Sequence, residues 1–216
     1  MTKATVIFDL DGTLLYTLED LKDAVNYALN EKGYATHTLD EMRRYFGNGI
    51  AYAIKQAEPG LSEEELAELV KLFRSYYGEH CMDKTGPYPG IPELVKKLSE
   101  DGYKMAIVSN KVDSAVKDLA KRFFPEITVA IGERTGIRRK PAPDTVIQAL
   151  EELGVTKEES VYIGDSEVDL ATARAAGLPC ISVLWGFREK SLLEEEGATC
   201  FVESTEEIPE ILKNMV

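Results

Sequence analysis

Asp9 and Asp11 close the run Thr5-Val6-Ile7-Phe8-Asp9-Leu10-Asp11-Gly12-Thr13, which sets two carboxylates two residues apart behind four apolar or β-branched residues. The run reads as a short buried strand. Side chains alternate along a strand, so both acids would share a face if it continued. Gly12-Thr13 ends it and leaves the pair at the strand's carboxyl end, where an open parallel sheet binds ligands. Two uncompensated carboxylates there repel each other and call for a cation.

Other strand ends carry polar groups of a complementary kind. Lys104-Met105-Ala106-Ile107-Val108 runs into Ser109-Asn110, and Ser160-Val161-Tyr162-Ile163 runs into Gly164-Asp165, followed by Asp169. The loop Gly136-Ile137-Arg138-Arg139-Lys140-Pro141 adds a cation. If these ends converge, a set of carboxylates, one lysine and one hydroxyl meet in a crevice. Hard oxygen ligands at low count suit Mg2+, which accepts phosphate oxygens. Lys140 is a point charge suited to a phosphate, and Ser109 can donate to another oxygen of it. That is the inventory of phosphoryl transfer: a carboxylate nucleophile, an acid/base partner, and cations for the transferring group.

The elements that must position these groups fall into two blocks. After the first strand, residues 18–86 carry helical patterns only. Leu18, Leu21, Val25, Ala28 and Leu29 recur at helical spacing, with Gly33 as the stop. Thr38 with Glu41, and Ser62 with Glu65, have the spacing of capping boxes; the first helix should end near Gly47 and the second near Gly78. Gly86-Pro87-Tyr88-Pro89-Gly90 then reads as a linker. From Pro92 onward helices and strands alternate: a helix through Leu94–Leu98, the strand at Lys104, a helix over 112–122 and a strand over Thr128–Ile131. A helix with Pro143 in its first turn follows, then the strand at Ser160, a helix over Leu170–Ala176 and a strand over Cys180–Leu184. Such alternation means an α/β fold, a doubly wound, Rossmann-like parallel sheet, with the all-helical block inserted after its first strand.

Composition excludes several function classes. The 216 residues include 25 Lys+Arg against 38 Asp+Glu, a net charge of −13, which argues against nucleic-acid or anionic-membrane partners. No stretch approaches the apolar length of a membrane span, and the polar start Met1-Thr2-Lys3 leaves no room for a signal peptide. Cys81, Cys180 and Cys200 are odd in number and widely spaced, which reads as reduced, buried thiols in a cytoplasmic protein. Separately, a monomer or weak homodimer is expected. His37 and His80 stand far from any serine or cysteine motif. Gly47-Asn48-Gly49 lacks the third glycine of a dinucleotide fingerprint and follows a helical stretch.

Asp9-Leu10-Asp11-Gly12-Thr13, Ser109-Asn110, Lys140-Pro141 and Gly164-Asp165-Ser166 with Asp169 together resemble the four signatures of the haloacid dehalogenase-like phosphohydrolases, in their order. Pro89-Gly90, Val108-Ser109-Asn110-Lys111, Lys140-Pro141-Ala142-Pro143-Asp144 and Trp185-Gly186-Phe187 are similar to the phosphoglycolate phosphatase-like branch. The resemblance implies an Mg2+-dependent phosphatase of a small phosphorylated metabolite, with 2-phosphoglycolate favoured over inorganic pyrophosphate or a sugar phosphate. A phosphosugar mutase and a phospho-accepting receiver are the rival classes. It also implies Asp9 as nucleophile and metal ligand, and Asp11 as acid/base with its carbonyl on the metal. Asp165 would be a further metal ligand, with Asp169 holding metal waters or Lys140. Thr13, Ser109, Asn110 and Lys140 would bind the substrate. Residues 15–86 would be a helical cap, 1–14 with 87–216 the catalytic core, and Gly47-Asn48-Gly49 the cap's substrate-facing loop. Tyr16-Thr17 stands where the family usually has Asp-Ser or Asp-Thr. Asp11 favours ester cleavage over dehalogenation, because an alkoxide needs a proton and a halide does not.

Overall fold

The computed structural model describes residues 4–215, so the polar start Met1-Thr2-Lys3 lies outside it. The chain forms two compact units, Met1–Leu14 with Pro87–Val216, and Leu15–Gly86.

The first unit is built on β1 (Thr5–Phe8), all four residues of which are buried. The chain next passes through β2 (Leu15–Tyr16) and the helical unit of α1 (Leu18–Glu31), α2 (Leu39–Tyr45), α3 (Ile50–Ala57) and α4 (Glu63–His80). It returns through β3 (Gly86–Pro87), which pairs with β2 as a two-stranded sheet. Then follow α5 (Ile91–Glu100), β4 (Lys104–Val112), α6 (Asp113–Phe123), β5 (Val129–Glu133), α7 (Asp144–Leu153) and β6 (Ser160–Gly164). Last come α8 (Glu167–Ala176), β7 (Cys180–Val183), α9 (Lys190–Glu195), β8 (Phe201–Val202) and α10 (Ile208–Met215).

The main sheet has the order β5-β4-β1-β6-β7-β8, and its neighbouring strands run parallel. The chain builds outward from β1 in both directions, which makes the sheet doubly wound and puts the order reversal beside β1. Ile7, Ala106, Val108, Ile131 and Tyr162 on one face pack with Val146 and Ala149 of α7 and Ala173 of α8.

Local rules explain most boundaries in the helical unit. Thr38 and Ser62 accept from the amides of Glu41 and Glu65, whose carboxylates reach back, so both capping boxes form. α4 runs past Gly78 to His80, because one glycine inside a tightly packed helix costs only about 1 kcal/mol. α3 has no counterpart in the expected elements, and neither do β8 and α10; all three are too short for periodicity to stand out. α8 starts at Glu167 rather than Leu170, since Ser166 caps it and draws Asp169 into the first turn. β4 continues through Ser109-Asn110 to Val112, with a register shift against β5 after Val108. Pro143 is the cap residue of α7 and not part of its first turn.

Candidate active site

β1 delivers Asp9 to the centre of the site. Ile7 pairs with Ala106 of β4 on one side and with Tyr162 of β6 on the other. Alternation brings Asp9 back to the face of Ile7 and Tyr162. The ladder extends that far, for the Asp9 amide donates to the Ile163 carbonyl at 2.9 Å. Asp9 is 5% exposed and Lys140 3%. Lys140 Nζ donates to Asp9 Oδ1 at 2.5 Å, to Asp169 Oδ1 at 2.7 Å and to the Tyr162 hydroxyl at 3.1 Å. Tyr162 in turn donates to Asp169 Oδ1 at 2.9 Å.

Asp169 is fixed by the start of α8. The Ser166 hydroxyl and amide donate to its Oδ2 at 2.6 and 3.1 Å. Both of its oxygens therefore serve neighbours within the protein. Asp165, also buried, accepts from Thr13 Oγ1 at 3.3 Å and from the Phe187 amide at 2.7 Å. Small residues make the room for this packing. A Cβ on Gly12 or Gly186 would run into the Asp165 carboxylate, and one on Gly164 into the Asp169 side chain.

Burial pushes the Asp9 carboxyl well above its usual range, against the pull of Lys140, with Asp169 and Asp165 adding to the push. Burial, then Asp169, raises Asp165 to about 7. Lys140 is held well above its ordinary value: burial disfavours its charge, but Asp169 and Asp9 outweigh that. Burial likewise opposes the Asp169 carboxylate, yet Lys140 and the Ser166 donors keep it below the usual range. Asp9, Asp165 and Asp169 each offer an oxygen within 4.8 Å of the others'. Three buried carboxylates against one ammonium leave excess negative charge in oxygen ligands. A hard divalent cation fits that donor set.

The remaining predicted residues fall in distinct places. The Asp11 carboxylate stands outside that trio, with Oδ1 2.8 Å from Lys111 Nζ. Thr13 directs its hydroxyl at Asp165. Ser109 Oγ is buried and accepts from the Lys111 amide at 3.1 Å. Asn110 Nδ2 donates to the Lys140 carbonyl at 3.0 Å, steadying the loop that carries the lysine. Gly47, Asn48 and Gly49 lie in the helical unit, between α2 and α3, where Gly47 and Gly49 take positive φ of 122° and 87°. Arg138 forms a two-bond pair with Asp144 at 2.9 Å on the surface. Trp185 Nε1 reaches back to the Thr13 carbonyl at 3.0 Å.

Sequence reasoning missed Tyr162, Ser166, Gly186 and the Asp11–Lys111 pair as parts of the site. Ser166-x-x-Asp169 has capping-box spacing and was there to be read. Gly186 stands in the motif Trp185-Gly186-Phe187, but nothing in that motif ties it to Asp165, and Tyr162 carries no such signal.

A doubly wound sheet whose order reverses at β1, with acids and a lysine meeting beside that reversal, makes this an α/β protein with the groups of a phosphoryl-transfer site at its switch point. The chain belongs to the haloacid dehalogenase-like hydrolase family, whose model matches residues 6–183. It is a phosphatase of that family. It is 31% identical over 188 residues to the phosphoglycolate phosphatase of Aquifex aeolicus, covering 84% of this chain and 85% of that one. To the phosphoglycolate phosphatase of Agrobacterium fabrum it is 34% identical over 199 residues, covering 88% and 84%. A crystal structure from Lactobacillus delbrueckii subsp. bulgaricus, provisionally described as a phosphoglycolate phosphatase, superimposes with a TM-score of 0.94 at 38% identity, covering 98% and 99%. Among the described residues no helix is long and apolar enough to cross a membrane.

Proposed function

We propose that the chain is an Mg2+-dependent phosphatase that hydrolyses small phosphate monoesters, 2-phosphoglycolate foremost, through an aspartyl-phosphate on Asp9. In this reading Met1–Leu14 with Pro87–Val216 is the catalytic core and Leu15–Gly86 its cap domain. The observation that carries it is the buried Asp9 at the carboxyl end of β1, hydrogen-bonded to Lys140 beside two further carboxylates. The naming of the relatives as phosphoglycolate phosphatases supports the substrate.

The carboxylates of Asp9 and Asp165 and the main-chain carbonyl of Asp11 would hold the ion. When bound, Mg2+ supplies a Lewis acid that takes up negative charge on the phosphoryl oxygens. The chain's own residues do the rest. Asp9 attacks phosphorus, the ester P–O bond breaks, and Asp11 passes its proton to the leaving alkoxide. Asp11 then takes a proton from water, whose oxygen attacks phosphorus; Asp9 is released as carboxylate and inorganic phosphate leaves. Lys140 offsets charge on Asp9 and on the transferring group, Asp169 keeps Lys140 in place, and Ser109 and Asn110 line the phosphate's surroundings.

Asp9→Asn tests the reading. Turnover of 2-phosphoglycolate with Mg2+ should fall to less than about one part in a thousand, since covalent catalysis has no substitute group. A correctly folded Asp9→Asn protein that keeps substantial activity would overturn the assignment.

A further inference from the structure

Lys111 is a cation that the proposed chemistry leaves unused. Its Nζ stands 2.8 Å from Asp11 Oδ1, with the two side chains 7% and 18% exposed. The backbone that carries it is pinned. Its amide donates to Ser109 Oγ at 3.1 Å, and Gly132 of β5 comes so close that a Cβ there would meet the Lys111 carbonyl at 2.5 Å. The Gly132 amide also donates to Asp113 Oδ1 at 2.9 Å, tying the next stretch of chain to the same strand. An ammonium withdrawn from solvent on so fixed a stem confines its partner to few positions.

Asp11 needs such confinement. It precedes Gly12, whose φ of 92° turns the chain away from β1. Lys140, the buried lysine of the site, is occupied by Asp9 and Asp169.

We propose that Lys111 is a positioning residue for Asp11: its ammonium keeps the Asp11 carboxyl where it can reach the leaving oxygen, without touching the substrate itself. The inference rests on the acid/base role given to Asp11 above.

The test compares an ester that needs a proton on departure with one that does not. 2-Phosphoglycolate releases an alkoxide; p-nitrophenyl phosphate releases a stable phenolate. The ratio kcat/KM reports only events up to phosphoryl transfer, so the later hydrolysis of the intermediate does not enter. Lys111→Met should lower kcat/KM on 2-phosphoglycolate by about tenfold or more, with p-nitrophenyl phosphate changed by less than about threefold. Lys111→Arg should recover much of the loss. In an Asp11→Asn background, Lys111→Met should cost nothing further, because the group it positions is gone. Equal losses on both esters, no loss on either, or a loss that persists in the Asp11→Asn background would each overturn the proposal. A parent protein that turns over neither ester brings down the functional reading as well. An active parent with Asp9→Asn inactive leaves that reading standing, so that a failure then falls on the role of Lys111 alone.

Discussion

Gly186 shows how much of this site depends on side chains that are missing. A Cβ there would land on the Asp165 side chain, and the carboxylate would have to leave the Phe187 amide that holds it. Unlike Gly12, Gly186 has no positive φ, so alanine there adds crowding without backbone strain. Overpacking of this kind costs roughly 1–3 kcal/mol. Gly186→Ala should therefore lower activity by about tenfold or more and raise the Mg2+ concentration needed for half-maximal turnover. An unchanged Mg2+ requirement would mean that Asp165 does not contribute to metal binding from the position seen.

The start of α1 illustrates the same logic in a whole element. Thr17, its cap residue, makes no side-chain cap bond, and the usual acid of the family is absent at Tyr16-Thr17. Asp20 in the first turn takes up another duty. Buried, it accepts from the Lys84 amide at 3.0 and 3.1 Å and from the Thr85 amide at 2.8 Å. It thereby ties the first helix of the unit Leu15–Gly86 to the segment through which the chain leaves that unit. Removing the carboxylate leaves the buried Thr85 amide without its acceptor, at a cost of roughly 1–3 kcal/mol, and releases the Lys84 amide as well. Asp20→Ala should speed amide hydrogen exchange at Lys84 and Thr85 by more than about tenfold and leave the amides of β1 and β6 unchanged. Unaltered exchange at Lys84 and Thr85 would show that other contacts hold the segment.

Across the whole chain a net charge of −13 works against any anionic ligand, and that field is screened only beyond about 8 Å at physiological salt. Asp9, Asp165 and Asp169 gather three buried carboxyl groups, so a divalent cation should stabilise the folded protein as well as activate it. Ligand linkage gives about 2.7 kcal/mol at a hundred times the dissociation constant. Millimolar Mg2+ should accordingly raise the melting temperature of the parent. Asp165→Asn sharpens the test. Burial and Asp169 hold the Asp165 carboxyl near 7, so at pH 8 its charge is carried at a cost to folding that asparagine never meets. The metal-free variant should melt at or above the parent, and its Mg2+-dependent shift should shrink or vanish. A variant that keeps the full shift would remove Asp165 from the metal site.

Much of this was legible in the chain because it depends on local patterns. Unbroken apolar runs announced β1 and β6 as strands buried on both faces, and strand-helix alternation announced the parallel sheet. The spacing of Thr38 with Glu41 and of Ser62 with Glu65 located two helix starts to the residue, since a cap involves only neighbours three apart. Asp9, Lys140, Asp165 and Asp169 could be named in advance because each sits at or near a strand end, or in a loop stiffened by proline. Their partnership could not be derived from order alone. Which oxygen of Asp169 meets Lys140, and how Thr13 and the Phe187 amide hold Asp165, depend on contacts between residues 22 to 152 positions apart. That Tyr162 joins them depends on the facing of one strand, and that Gly186 makes room for Asp165 on how two loops meet. Asp11 is the clearest case. Its type and its distance from Asp9 marked it as an acid/base candidate, whereas its pairing with Lys111 exists only because parallel register brings the ends of β1 and β4 side by side.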